Sequence, residues 1–128
     1  MVLKNYATGL QHVGVPTKNM KATVEYYKKL GFETALETMN GKDKVVFLKL
    51  QNLMVEAYET ETVKPEAGAI DHIAIDVTNI EAVYSYICAN GLNNTGDTIH
   101  TLMFWEKGVR YFTIEGPNKE RVEFSQIL

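Results

Sequence analysis

The segment LQHVGVPT at residues 10–17 has a second copy in this chain, IDHIAIDV at residues 70–77. The same offset that relates His12 to His72 also relates Asn19 to Asn79. Each copy is followed by apolar residues at helical spacing and then by three runs with the alternation of β-strands. The chain is therefore predicted to contain two tandem βαβββ modules.

Local signals give the bounds of the predicted elements. Module one is predicted to have a helix at 20–30 and strands at 9–15, 32–38, 44–50 and 53–59. Module two is predicted to have a helix at 79–89 and strands at 70–77, 97–103, 109–115 and 120–126. Asn19 precedes the first helix as an N-cap and has its counterpart in Asn79, and Gly31 and Gly91 follow the helices as C-terminal caps. The predicted helix faces carry Met20, Val24, Tyr27 and Leu30 in module one, and Ile80, Tyr84 and Ile87 in module two.

The predicted fold class is α+β, with the strands of both modules in a curved mixed sheet. A single domain is expected over residues 1–128, with module one at about 8–59, a linker at about 60–69 and module two at about 70–128. The net charge of −3 and the pI near 5.6 disfavour a nucleic-acid surface. The sequence shows no membrane-length apolar run and no signal-peptide core, and its lone Cys88 cannot form an internal disulfide. A cytoplasmic protein without nucleic-acid or membrane partners is expected.

Strand alternation predicts that two His and two Glu point away from the packed face of each module. The packed face is predicted to carry Val13, Val15, Val55, Ala57, Ile73, Ile75, Val122 and Phe124. The opposite face then carries His12 and Glu56 in module one, and His72 and Glu123 in module two. Taken singly, each of these residues is more often solvated or structural. Their matched positions favour one site for a divalent ion such as Zn, Ni, Co, Fe or Mn.

On the basis of the repeat and of these His and Glu residues, the chain resembles the vicinal oxygen chelate superfamily from Leu10 to Gln126. The order of His and Glu residues is similar to that of glyoxalase I (lactoylglutathione lyase). The run GVRYFTIEGPNKERVEFSQ also resembles the closing strand–turn–strand of the family, with Lys119 where Gly is common.

The resemblance implies a metal-dependent lyase or isomerase that acts on a hemithioacetal, the thiol adduct of an α-ketoaldehyde such as methylglyoxal. It implies one Ni, Co or Zn ion per site, with Fe or Mn as further options, and a homodimer. Glu123 would be the principal base, and Glu56 a metal ligand or partner acid. Glutathione-using bacterial members have an Arg four residues after the first His and commonly an Asn four residues after the first Glu. This chain has Pro16 and Thr60 there, so another thiol or another substrate with vicinal oxygens is equally compatible.

Apolar and cationic residues outside the repeat are candidates for substrate contacts. The segment HTLMFWEKGVRY at 100–111 supplies most of them, and the full set is Phe47, Met54, Phe104, Trp105, Lys107 and Arg110. The alternative interpretation is that the apolar members belong to the core and the cations are solvated.

Other functions within the resemblance stay open. They are a methylmalonyl-CoA epimerase-like activity, a thiol transferase, a ring-cleaving dioxygenase and a non-catalytic small-molecule binding module. Thiol transferases and dioxygenases usually use two His and one carboxylate, so Glu56 counts against them. The binding modules lack the metal residues.

Overall fold

A computed structural model describes residues 2–117 and 120–128 of the chain, so Asn118 and Lys119 of the predicted turn lie outside the described residues. The described elements are β1 (Ala7–Thr17), α1 (Met20–Lys29), β2 (Glu33–Asn40), β3 (Asp43–Leu50), β4 (Leu53–Glu59), β5 (His72–Val77), α2 (Ile80–Ala89), β6 (His100–Leu102), β7 (Val109–Glu115) and β8 (Arg121–Ile127). A short 3-10 turn, Leu3–Asn5, precedes them. Parallel and antiparallel pairs occur together with two helices, which confirms the α+β class and the βαβββ order of each module. Within the described residues, neither helix is long and apolar enough to cross a membrane.

The segment His12–Asp71 forms one compact unit. Its strands follow the order β2-β3-β4-β1, in which β1 runs parallel to β4 and the other pairs are antiparallel. Helix α1 packs on β3 and β4. The buried core consists of Met20, Phe32, Val46, Leu48, Val55 and Ala57.

The second compact unit joins the chain up to Gln11 with His72–Leu128. Its strands follow the order β1-β5-β8-β7-β6, in which β5 runs parallel to β8. Helix α2 packs on β7 and β8. The buried core consists of Val77, Ile80, Val83, Ile87, Phe112 and Phe124.

The helix caps lie at positions related by the repeat, although α1 ends one residue earlier than predicted and α2 begins one residue later. The side chain of Asn19 accepts a hydrogen bond from the backbone N–H of Ala22 at 3.0 Å, and that of Asn79 accepts one from Ala82 at 3.1 Å. Gly31 and Gly91 follow the helices with φ of 101° and 67°, a left-handed conformation that glycine adopts without steric cost.

Two apolar residues that were predicted to be packed are exposed. Leu30 is the C-terminal cap residue of α1 rather than part of its last turn, and it is 53% exposed. Ile73 is 42% exposed, whereas Ile75 packs in the core. Ile73 lies at the beginning of β5, outside the core cluster to which α2 contributes Ile80, Val83 and Ile87.

The strand predicted at 97–103 is also shorter than expected, since β6 covers only His100–Leu102. Side chains of the preceding loop occupy the edge of β7 in place of a strand. The amide of Asn94 donates to the carbonyl of Glu115 at 2.8 Å and accepts from its N–H at 3.0 Å. The hydroxyl of Thr95 donates to the carbonyl of Thr113 at 2.7 Å. These bonds satisfy the edge of β7 without a β-ladder.

Candidate metal centre

The first His–Glu pair lies on two parallel strands of the unit His12–Asp71. His12 on β1 is only 3% exposed, and Glu56 on β4 is half-buried. Gly14 is the register partner of Glu56, which brings the carboxylate diagonally beside the imidazole two residues earlier. The His12 Nε2 atom lies 3.4 Å from the Glu56 Oε1 atom. The Phe47 ring and the imidazole of His12 also form a T-shaped contact, with ring centroids 5.4 Å apart and an interplanar angle of 86°.

The second pair repeats this geometry in the other unit. His72 on β5 is 9% exposed, and Glu123 on β8 is half-buried. Ala74 is the register partner of Glu123, so the carboxylate again lies beside the His two residues earlier. The His72 Nε2 atom lies 3.8 Å from the Glu123 Oε1 atom. The sequence repeat is thus a repeat of strand register as well.

The donors of each pair fit a divalent cation. Imidazole nitrogens and carboxylate oxygens lie about 2.0–2.2 Å from a Zn-type ion, so two ligands of one ion are about 3–3.6 Å apart. The His12–Glu56 separation of 3.4 Å falls in this range, and the His72–Glu123 separation of 3.8 Å is slightly longer. Both exceed an ordinary hydrogen bond. The first pair therefore has the chemistry and spacing of adjacent metal ligands, and the second pair has the same chemistry at a slightly longer spacing.

The predicted substrate residues have different surroundings. Phe47 and Phe104 are buried, and Met54 is half-buried on β4, two residues before Glu56. Trp105 is half-buried and has a φ of 64°, a strained conformation for a bulky residue.

The two cationic residues that were predicted to contact the substrate differ in their surroundings. Lys107 is exposed. The guanidinium of Arg110 donates a hydrogen bond to the carboxylate of Glu81 at 3.1 Å, an ion pair at the surface.

A groove of about 550 Å³ lies at the ends of β1 and β4 and includes Thr60. Two cations and three carboxylates face it, so its charge is mixed. The lining residues are Thr17, Lys18, Lys42, Asp43, Glu59, Thr60, Glu61 and Thr62.

Sequence reasoning missed the polar residues directly before the two His. The carboxylate of Asp71 accepts a hydrogen bond from the hydroxyl of Tyr58. The amide of Gln11 donates to Asp76 at 2.8 Å. The signal that could have revealed these residues is the repeat itself, since Gln11 and Asp71 share the offset of His12 and His72.

The comparisons with known proteins agree with this architecture. The sequence profile of the glyoxalase/bleomycin resistance protein/dioxygenase superfamily matches residues 9–124. The chain therefore belongs to this superfamily, which confirms the resemblance at that level. A relative in Bacillus subtilis (strain 168), the uncharacterized protein YwbC, is 26% identical over 129 residues, which cover 94% of this chain and 98% of the relative.

Solved structures show the same fold. A superfamily member from Vibrio splendidus 12B01 has a TM-score of 0.67 at 17% identity, and the match covers 92% of this chain and 99% of that one. A Mn(II)-bound glyoxalase from Novosphingobium aromaticivorans has a TM-score of 0.66 at 18% identity, and the match covers 94% of this chain and 39% of that one.

Proposed function

We propose that this protein is a metal-dependent lyase or isomerase of the glyoxalase I type, with one divalent ion held by His12, Glu56, His72 and Glu123. The observation that carries the proposal is the repeated His–Glu pair, with the same strand register in both units and separations of 3.4 and 3.8 Å.

The donor set supports the choice of ion. Two imidazoles and two carboxylates suit borderline divalent ions, so we propose Ni, Co or Zn, with Fe or Mn as alternatives. The Mn(II) in the Novosphingobium glyoxalase is consistent with a divalent ion in this fold. Such an ion acts as a Lewis acid that stabilises the negative charge developing on vicinal substrate oxygens.

Glu123 is proposed as the principal base. Its carboxylate takes the proton from the carbon that bears the sulfur of a hemithioacetal and returns it to the neighbouring carbon. The hydroxyl proton moves to the oxygen of that neighbouring carbon, so the substrate isomerises to a 2-hydroxy thioester without net gain or loss of atoms. Glu123 is half-buried beside His72, an environment in which water is partly excluded from the proton transfer. Glu56 is proposed as a metal ligand or partner acid.

The walls of the substrate site are proposed from the residues outside the repeat. Phe47, Met54, Phe104 and Trp105 would contact the apolar part of the substrate, and Lys107 or Arg110 would pair with an anionic group. The strain at Trp105 supports a role for this segment, because strained backbone often occurs at ligand-binding sites. For Arg110, a substrate anion would have to replace Glu81 as the partner.

Pro16 and Thr60 bear on the identity of the thiol that forms the hemithioacetal. Neither residue supplies a cation for a carboxylate of glutathione, and the groove beside Thr60 is lined by both cations and carboxylates. We therefore propose a thiol other than glutathione, or another small substrate with vicinal oxygens.

An assay of methylglyoxal isomerisation with the Co(II)-loaded protein, repeated with a series of thiols, tests the proposal. Turnover is expected with at least one thiol, and Glu123→Gln should lower kcat/KM by about 10²–10⁴-fold because the base is lost. Glu25→Gln on the exposed side of α1 is the matched control and should leave kcat/KM unchanged. Absence of turnover with every thiol would reject the glyoxalase activity.

The family description itself makes a dioxygenase the second candidate. Such an enzyme would need only two His and one carboxylate. Retention of full metal affinity and of ring cleavage of a catechol by Glu56→Gln would favour this alternative.

A homodimer and a cytoplasmic location complete the proposal. The dimer rests on the family resemblance, and light scattering of the metal-loaded protein tests it through the molar mass. The location rests on the single Cys88, which requires no oxidising compartment.

A further inference from the structure

We propose that Gln11 and Asp71, the residues directly before the two His, are positioning residues that hold the imidazoles of His12 and His72 at the metal site. This inference rests on the proposed function and extends it. Each of the two residues is hydrogen-bonded to a strand that carries one of the Glu ligands. We refer to these two sets of bonds as the Asp71 anchor and the Gln11 anchor.

The Asp71 anchor joins the residue before His72 to the surroundings of Glu56. The hydroxyl of Tyr58 donates to the carboxylate of Asp71, and the backbone N–H of Asp71 donates to the carbonyl of Gly14 at 3.2 Å. Tyr58 follows Glu56 by two residues on β4, and Gly14 is the register partner of Glu56. Both partners of Asp71 are therefore neighbours of the same carboxylate.

The Gln11 anchor joins the residue before His12 to the surroundings of Glu123. The side-chain amide of Gln11 donates to the carbonyl of Ser125 at 3.1 Å and to the carboxylate of Asp76 at 2.8 Å. Ser125 follows Glu123 by two residues on β8, and Asp76 is its register partner. Thr8 donates to the second carboxylate oxygen of Asp76 at 2.6 Å, so Asp76 is held from two positions of β1.

The two anchors occupy equivalent positions of the repeat. Gln11 and Asp71 share the offset of His12 and His72, and Tyr58 and Ser125 share the offset of Glu56 and Glu123. The side chains differ, but in both copies the residue before the His bonds to the residue two positions after a Glu. Independent side chains that converge on one arrangement indicate that the arrangement itself matters.

Strand geometry explains what the anchors would do. A strand that slips by one residue turns every side chain to the other face, so a His ligand depends on the register of the residue beside it. The Asp71 anchor fixes the backbone directly before His72 to β4, and the Gln11 anchor fixes the backbone directly before His12 to β8. Interactions that orient metal ligands typically change metal affinity by about 10–100-fold when they are removed.

Metal titration of anchor variants tests the inference. Tyr58→Phe removes only a hydroxyl, and Gln11→Met removes an amide at similar size. Tyr84→Phe is the matched control, because it removes a hydroxyl that donates to the carbonyl of Asp97 at 3.0 Å, outside both anchors. Co(II) is the probe, with its visible absorbance reporting ligand geometry and a urea titration of the metal-free protein reporting stability.

We expect Tyr58→Phe and Gln11→Met each to weaken Co(II) binding by about tenfold and to alter the Co(II) spectrum. Tyr84→Phe should bind Co(II) like the wild type. The inference is overturned if both anchor variants keep the wild-type affinity and spectrum, or if their affinity falls only in proportion to the fraction unfolded. If one variant does not fold, the other decides by the same criteria. A wild-type protein that binds no Co(II) would instead reject the proposed metal site, and the inference with it.

Discussion

Replacement of Asp97 by Asn should destabilise the protein at neutral pH but not in acid. One carboxylate oxygen of Asp97 lies 2.6 Å from the Nε2 atom of His100, and the other accepts the backbone N–H of Thr113 at 2.9 Å. Burial raises the pKa of Asp97, but hydrogen bonds from His100, Thr113 and Thr98 outweigh this effect and hold the pKa below its ordinary value of 3.8.

The size of the effect follows from these contacts. A hydrogen bond to a charged group contributes about 1.5–3 kcal/mol when it is buried. The side chains of Asp97 and His100 are 24% and 48% exposed, and solvent screening reduces the expected loss to about 1–2 kcal/mol. The Asn side chain keeps an oxygen that can still accept the N–H of Thr113.

The sign of the pH dependence is fixed by the lowered pKa. The folded state holds the Asp97 proton more weakly than the unfolded chain does. The ionised Asp97 side chain therefore contributes fully to the free energy of unfolding above the unfolded pKa of 3.8. This contribution is lost as the pH falls through the lower pKa of the folded state. The stability difference between wild type and Asp97→Asn should therefore shrink toward zero in strong acid.

Urea unfolding at neutral pH and at a series of pH values below 3.8 measures this difference. Glu25→Gln, on the exposed side of α1, controls for the loss of one negative charge. A difference that stays constant across the acid range, or one equal to that of the control, would refute the reasoning.

Two further predictions concern the packing and the helix caps. Phe47→Leu should lower the free energy of unfolding by about 1–2 kcal/mol, because it removes a buried ring and its T-shaped contact with His12; an unchanged urea midpoint would contradict this. Asn19→Ala and Asn79→Ala should each cost about 1 kcal/mol, and the double variant should cost their sum because the caps belong to separate helices; a clearly non-additive urea result would contradict their independence.

The fold could be predicted to the extent that its signals are local. Asn19 and Asn79 mark the helix starts because a side-chain oxygen can satisfy an unpaired N–H only there. Gly41, with a φ of 62°, marks the turn between β2 and β3 because glycine adopts this left-handed conformation without steric cost. Both signals act within a few residues, and the repeat supplied each of the caps twice.

The wrong predictions concern features that depend on contacts between distant parts of the chain. Ile73 has the alternation of a packed residue, but it lies outside the core cluster that contains the α2 residues and is exposed. The strand predicted from residue 97 is short because the side chains of Asn94 and Thr95 take over the edge of β7. Neither outcome can be derived from strand or helix periodicity.

In the candidate site, too, some features follow from the sequence and others depend on distant contacts. Residue types and the repeat were sufficient to single out the two His and two Glu. The polar neighbours Gln11 and Asp71 look like ordinary alternating strand residues in the sequence. Gln11 bonds to Ser125, which is 114 residues away, so this contact emerges only from the strand pairing.

Metal stoichiometry and its response to His12→Ala test the central claim most directly. If His12, Glu56, His72 and Glu123 hold a single ion, titration with Co(II) should saturate at one ion per chain, and His12→Ala should weaken that one site by several orders of magnitude. If the two His–Glu pairs are instead independent, the chain should take up two ions. His12→Ala would then leave one ion bound with wild-type affinity, and that result would contradict the account.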